Sequence, residues 1–144
     1  ISSLEATALS SGRQGRVAVL VDARRGELFA SVYDVLWDAE GAPSTKDLSG
    51  EWVGKVDSVI ERIANEYGTT LSFAVGSGLK PYREKIQSKL HTDLLGENYW
   101  TPCPFTMCKI GAARFLANGP DDLDSTEPVY LREPDAKLPS VALK

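Results

Sequence analysis

The stretch Val17–Tyr33, VAVLVDARRGELFASVY, decides the fold. Five apolar residues in a row, Val17–Val21, read as a strand covered on both faces. Leu28–Trp37 is rich in Phe, Val, Tyr and Trp, residues that suit a pleated surface. Between them, Asp22-Ala23-Arg24-Arg25-Gly26-Glu27 carries four charged side chains in six residues. This is a hairpin turn, with Gly26 free to take positive φ. Two uses of the charge stand open. Arg24 and Arg25 are donors for phosphate or carboxylate at a strand end. Alternatively the charges solvate an ordinary turn.

Working outward, DAEGAPSTKD (38–47) reads as a polar loop, and Lys46–Val53 as a third strand of a meander. Asp57 is placed to cap a helix with Val59, Ile60, Ile63, Ala64 and Tyr67 at helical spacing and Gly68 as its stop. Leu71–Val75 is a short apolar strand running into Gly76-Ser77-Gly78. Pro81 suits a first helical position, with Tyr82, Ile86 and Leu90 following at intervals of four. A further helix is expected from about Thr106 to Asn118, ended by Gly119-Pro120. On the N-terminal side, Ser2 or Ser3 caps a short helix through about Ser11, ended by Gly12 and Gly15. Leu4, Ala8 and Leu9 share one side of it. At the C-terminal end PDDLDSTEP (120–128) is an acidic loop and Pro128–Arg132, PVYLR, a short extended piece. Pro134 and Pro139 keep the tail non-helical.

Three meandering strands followed by helix, strand, helix, helix is an α/β order with a mixed sheet. It is the order of a ribonuclease H-like half-domain. Neither a repeat nor an internal linker interrupts the 144 residues, so one domain is expected, with 120–144 as acidic loop and tail. The net charge of -4 argues against duplex binding by bulk electrostatics. No run approaches the ~20 apolar residues of a membrane span, and no signal peptide opens the chain. Two cysteines suggest no disulfide scaffold, and a reducing cytoplasmic setting is expected. Beginning at Ile1 inside a helical stretch, the sequence reads as the interior of a longer protein.

The chemistry-bearing residues are sparse. Gly76-Ser77-Gly78 lies between a strand and a helix, where backbone N–H groups reach a phosphate. It is neither G-x-G-x-x-G nor a Walker loop, and a tight turn accounts for it. Cys103, Cys108 and the single His91 make at most three thiol or imidazole ligands, short of a zinc site. A Ser–His–Asp arrangement would need His91, which lies in a polar stretch, and no G-x-S-x-G elbow exists. Asp121-Asp122 reads as solvation, the three tryptophans as packing, and Gly111, Ala112 and Ala113 as close helix contact. No catalytic residue and no metal ligand set is expected.

Several strings occur together and in order: Ser2-Ser3-Leu4-Glu5-Ala6, Val21–Leu28 (VDARRGEL), Leu48–Trp52 (LSGEW), Gly76-Ser77-Gly78 and Pro128-Val129-Tyr130-Leu131-Arg132. With them the chain resembles the TsaB family, the YeaZ-like or glycoprotease-like scaffold subunits of tRNA threonylcarbamoyladenosine modification. The family's N-terminal string GPGSFTG is absent, so the resemblance is to a C-terminal lobe of the two-lobed actin-like ATPase superfold. It implies a non-catalytic partner of a TsaD-like subunit, which holds the ATP and metal and modifies adenosine 37 of tRNA, together with a TsaE-like ATPase. It further implies self-association through the N-terminal lobe, only indirect contact with tRNA, no membrane, and no cofactor in this lobe.

In nucleotide-binding members of that superfold the first hairpin of the second lobe faces phosphate and needs glycines. Here Ala23, Arg24 and Arg25 follow Asp22, and only Gly26 is expected to open the turn. The hairpin from Asp22 to Glu27 is therefore expected to be a degenerate phosphate loop turned toward protein contacts. The alternative is a nucleotide-binding, ATPase-like enzyme. A peptidase rests on the older family name alone.

Overall fold

β1 (Gly15–Arg24) and β2 (Glu27–Trp37) form a long antiparallel hairpin at the centre of the molecule, with Val21 opposite Phe29 and Ala18 opposite Val32. The computed structural model describes residues 1–39 and 41–132. Strand geometry sends alternate side chains to opposite faces. Val17 and Val19 go to one face, Ala18 and Leu20 to the other, and all four are at 0 % exposure. That double burial is why the run is continuously apolar.

The remaining elements follow in the order β3 (Pro43–Asp47), β4 (Trp52–Lys55), α2 (Val56–Tyr67), β5 (Phe73–Val75), α3 (Leu79–Lys89), β6 (Asp93–Leu94), a 3-10 turn (Glu97–Tyr99) and α4 (Pro104–Asn118), with α1 (Ser3–Ser10) preceding β1. The sheet order is β3-β2-β1-β5-β6, with β4 also on β2. β1–β2 and β2–β3 are antiparallel, and β1–β5 and β5–β6 parallel. This mixed α/β sheet is the ribonuclease H-like arrangement expected from the order of elements.

Two cores result. On one face Leu20, Leu28, Ala30 and Val32 meet Val59, Ile60 and Ile63 of α2 and Leu79 and Ile86 of α3. On the other, Val17, Val19, Tyr33, Val35 and Phe73 meet Leu4, Ala8 and Leu9 of α1 and Ile110 of α4. Ser2 caps α1, its Oγ accepting from the N–H of Leu4 at 3.1 Å. Burial goes beyond the stripe of Leu4, Ala8 and Leu9, because Glu5, Ala6 and Thr7 are also enclosed.

Some boundaries differ from the sequence reading, each for a local reason. The expected third strand, Lys46–Val53, is two strands, and part of the expected polar loop is the first of them. Asp47 interrupts the edge: its Oδ1 accepts from the N–H of Ser49 at 3.1 Å and of Gly50 at 2.9 Å, folding the chain out between β3 and β4. Pro43 opens β3 at the edge, where a missing N–H is tolerated. Asp57 is not the cap of α2. The helix starts at Val56, whose N–H donates to the Gly26 carbonyl at 3.1 Å, and Asp57 pairs instead with Lys85 at 2.8 Å. Pro81 is the third residue of α3, not the first, since Leu79 and Lys80 already bond the carbonyls of Gly76 and Ser77. Proline has no N–H to orphan at that depth. α4 begins at Pro104, two residues before the expected Thr106. β6 was not expected at all. Pro128–Arg132 joins no ladder among the described residues, and Pro134, Pro139 and the rest of 133–144 lie outside them.

Candidate functional site

The β1–β2 hairpin, the Gly76-Ser77-Gly78 turn and Arg132 come together at one end of the sheet. Asp22 is the joint. Its backbone N–H donates to Ser77 Oγ at 3.1 Å, and its Oδ1 accepts from the Arg24 N–H at 2.9 Å. Arg24 Nη1 lies 3.4 Å from Asp22 Oδ2, with the arginine side chain largely in solvent.

The expectation that only Gly26 opens the turn is corrected. Arg24 (φ 65), Arg25 (φ 54) and Gly26 (φ 73) all take left-handed backbone. For a residue with a Cβ that costs about 1–2 kcal/mol. The Asp22 carboxylate, receiving the Arg24 N–H, is part of what holds the bend against that cost. The outer pair, Arg25 and Gly26, is the two-residue connection whose twist suits a hairpin.

Beneath the hairpin the glycine turn is a close-packing device. Gly76 has φ 122, and a Cβ there would sit 2.3 Å from the Leu20 carbonyl oxygen. At Gly78 a Cβ would sit 2.5 Å from Leu28 Cδ2, and the Gly78 N–H donates to the Leu20 carbonyl at 2.9 Å. Both glycines are explained by contact with β1 and β2.

Glu27 closes the other side. Its Oε1 bonds Lys55 Nζ at 2.9 Å, and its Oε2 lies 3.5 Å from Arg132 Nη1. The Lys55 ammonium, with Arg132 adding to it, holds the Glu27 carboxyl below the usual carboxylate range. Arg132 also donates to the Ala23 carbonyl at 2.9 Å, so residues 109 apart in sequence are tied together. Of the tail string, Arg132 thus meets the hairpin. Pro128 and Leu131 line the adjacent groove, and Tyr130 stands at its rim, 81 % exposed.

That groove has a volume of about 790 Å³. Val21 and Phe29 form part of its lining, with Ser2 of the α1 cap and Glu51. Glu51 Oε1 accepts from Tyr33 Oη at 2.8 Å and from Ser2 Oγ. Burial, with the Glu51 carboxylate beside it, pushes the Tyr33 phenol well above its ordinary value. Sequence reasoning missed Ser77, Lys55, Glu51 and Tyr33. Only Ser77, set between two glycines at a strand end, carried a local signal.

Elsewhere the candidate residues do not assemble. Cys103 is the N-cap of α4, and the backbone N–H of Thr106 draws its thiol below the ordinary value. Cys108 and His91 are exposed. Among the described residues no group of three or more His, Cys, Asp and Glu could hold a metal. No helix among them is long and apolar enough to cross a membrane.

The solved structures that match this fold include two YeaZ-like proteins. One is a crystal structure of an uncharacterized protein with similarity to peptidase YeaZ from Pseudomonas aeruginosa, at TM-score 0.69 and 22 % identity, covering 92 % of this chain and 57 % of that one. The other is YeaZ from Pseudomonas aeruginosa, at TM-score 0.68 and 20 % identity, covering 90 % of this chain and 58 % of that one. The chain thus spans less than two thirds of the length of either. No protein-family profile matches the sequence, and no curated protein matches it. The likeness is one of fold: the chain has the ribonuclease H-like, actin-like architecture of YeaZ proteins.

Proposed function

We propose that this chain is a non-catalytic supporting lobe in a tRNA-modifying assembly, working beside a TsaD-like catalytic subunit and a TsaE-like ATPase in the cytoplasm. The ATP and the metal belong to the catalytic subunit, and tRNA is met through it. The fold shared with YeaZ proteins supports the reading, as do the ordered strings from Ser2 to Arg132.

The observation that carries it is the state of the hairpin. A phosphate loop offers unbonded backbone N–H groups and a positive or neutral environment. Here the N–H of Asp22 is bonded to Ser77, that of Arg24 to Asp22, and that of Gly78 to Leu20. The carboxylates of Asp22 and Glu27 flank the base of the turn, which disfavours an anion held against its backbone, whereas the exposed arginines face outward. What the hairpin does present is two exposed arginines on a bend fixed by its own hydrogen bonds. A pre-set charged turn of that kind suits a carboxylate surface on a protein partner.

Reconstitution with the TsaD-like and TsaE-like subunits and an unmodified tRNA tests this. Modification is expected to depend on the protein, and Arg24→Ala with Arg25→Ala to weaken assembly. Unchanged assembly and unchanged modification would remove the arginines from the interface. Calorimetric titration with ATP and Mg²⁺ is expected to give no binding heat. Tight binding would replace this reading with that of a nucleotide-binding enzyme.

A further inference from the structure

Among the described residues, five acidic side chains are buried or half-buried: Glu5, Asp22, Glu27, Asp34 and Glu51. Four of them have a basic partner. Asp22 lies beside Arg24, Glu27 between Lys55 and Arg132, and Asp34 against Arg16. Glu5 takes two bonds from Arg114, at 2.6 and 2.8 Å. That pair, with the Cys103 N–H on Ser10 Oγ at 2.7 Å, fastens α4 to α1. Glu51 is the exception: no basic side chain among the described residues pairs with it. Taking a carboxylate out of water without a cation costs free energy, and the other four show how this fold avoids that cost.

Glu51 lines the groove of about 790 Å³ beside the hairpin. Its carboxylate is held from one side only. Oε1 accepts from Tyr33 Oη at 2.8 Å and also from Ser2 Oγ. Ser2 Oγ is itself fixed, because it accepts the Leu4 N–H at the start of α1. Burial keeps the Tyr33 phenol protonated, so it stays a donor. With Oε1 doubly occupied, Oε2 is the oxygen left to face the groove, and nothing among the described residues bonds it. A guanidinium grips a carboxylate through both oxygens in a fixed fork, whereas an ammonium is a point charge that needs only one. Beside Glu51 the lining is apolar, with Leu4, Val21 and Phe29. Residues 127–132 add a second carboxylate, Glu127, which also has no basic partner among the described residues. Arg132, the basic side chain of this lining, is bonded to Ala23 and Glu27. The volume lies within the range of about 300–1,000 Å³ usual for small-molecule sites.

We infer that the groove binds a small aliphatic diamine, with one ammonium on Glu51 Oε2, the alkyl chain along Val21 and Phe29, and the second ammonium toward Glu127. The ligand supplies the cation that Glu51 lacks. The inference is independent of the proposed function, because it rests on Glu51 and not on the hairpin arginines.

The test titrates the chain with 1,4-diaminobutane and follows its backbone amide NMR signals. Saturable shifts are expected at Ser2, Val21, Phe29 and Glu51. Glu51→Gln keeps an oxygen for Tyr33 and Ser2 and turns an NH₂ group to the groove. It is expected to weaken binding about tenfold or more. Glu61→Gln, at an exposed carboxylate of α2, removes the same charge elsewhere and is expected to leave binding unchanged. Glu127→Gln is expected to erase the advantage of the diamine over butylamine, and it leaves the Glu51 network intact. No saturable shift, equal losses in Glu51→Gln and Glu61→Gln, a diamine advantage that survives Glu127→Gln, or butylguanidine binding as tightly as butylamine would each overturn the inference. So would tighter binding of an acetylated lysine amide than of the diamine, which would assign the groove to the lysine side chain of a protein partner.

Discussion

The two faces of this sheet share the same strands and are finished differently. The α2/α3 face is closed by two helices whose apolar stripes match it: Val59, Ile60 and Ile63 from one, Leu79 and Ile86 from the other. An ion pair, Arg16 with Asp34 at 2.8 Å, seals it at the end away from the hairpin. The α1/α4 face is closed only in its middle. There a short helix is enclosed, while Val21 and Phe29 look into an open groove and α4 turns apolar residues outward. The difference teaches how to read incomplete burial. A strand pattern that is apolar on both sides demands two covers, and where one cover is partial the remaining apolar surface marks where something else belongs.

The sharpest way to break this comparison is to truncate one side chain on each face. Ile63→Ala should lower the unfolding free energy by about 2–5 kcal/mol, as a buried aliphatic deletion does. Phe115→Ala should stay within about 0.5 kcal/mol, as for a surface position. Urea titration of the two variants decides it, and equal losses would mean the faces are finished alike. Gly76→Ala comes next. Its positive φ and the adjacent Leu20 carbonyl predict a loss of about 1–3 kcal/mol, because the turn into α3 has no room to shift. A near-neutral result would show the closed face to be more yielding than its packing implies.

On the open face, Arg114→Ala leaves the enclosed Glu5 carboxylate with Thr45 as its remaining partner among the described residues. A loss of about 1–3 kcal/mol is expected, with hydrogen exchange accelerated in α4 and unchanged in α2. The smallest effect is that of pH on the Arg16–Asp34 seal. The hydrogen bond from Arg16 holds the Asp34 carboxyl below its ordinary value. Its contribution is therefore present above the unfolded carboxyl value and fades as pH falls through the folded one, below about pH 4. Asp34→Asn should flatten that acid limb of the stability curve, and an unchanged limb would assign it to other carboxylates.

The central hairpin, both long helices of the closed face and the capped start of α1 were legible because each is set by neighbours in sequence. Alternation fixes β1 and β2, helical spacing fixes α2, and Ser2 caps its own helix. The break between β3 and β4 was not legible, since it depends on Asp47 choosing the N–H groups of Ser49 and Gly50 over a continued ladder. The starts of α2 and α3 moved because carbonyls of Gly26, Gly76 and Ser77 receive their first N–H groups. β6 is two residues long, too short for any pattern. Within the candidate site, the charged turn and the glycine pair stood out by composition. Their joint, Ser77 on Asp22, spans 55 residues, and the Arg132 bond to Ala23 spans 109, so neither leaves a local trace.

The fastening of α1 to α4 sets an order of events for the nascent chain. α1 is made before the strands it packs on, and two of its fastenings come much later still: Glu5 waits for Arg114, and Ser10 waits for the N–H of Cys103. The β1–β2 hairpin, joined by one short turn, closes early, whereas contacts that span most of the chain form slowly. α1 can therefore settle on the hairpin early through Leu4, Ala8 and Leu9, while Glu5 and Ser10 are tied to α4 only when that helix has been made.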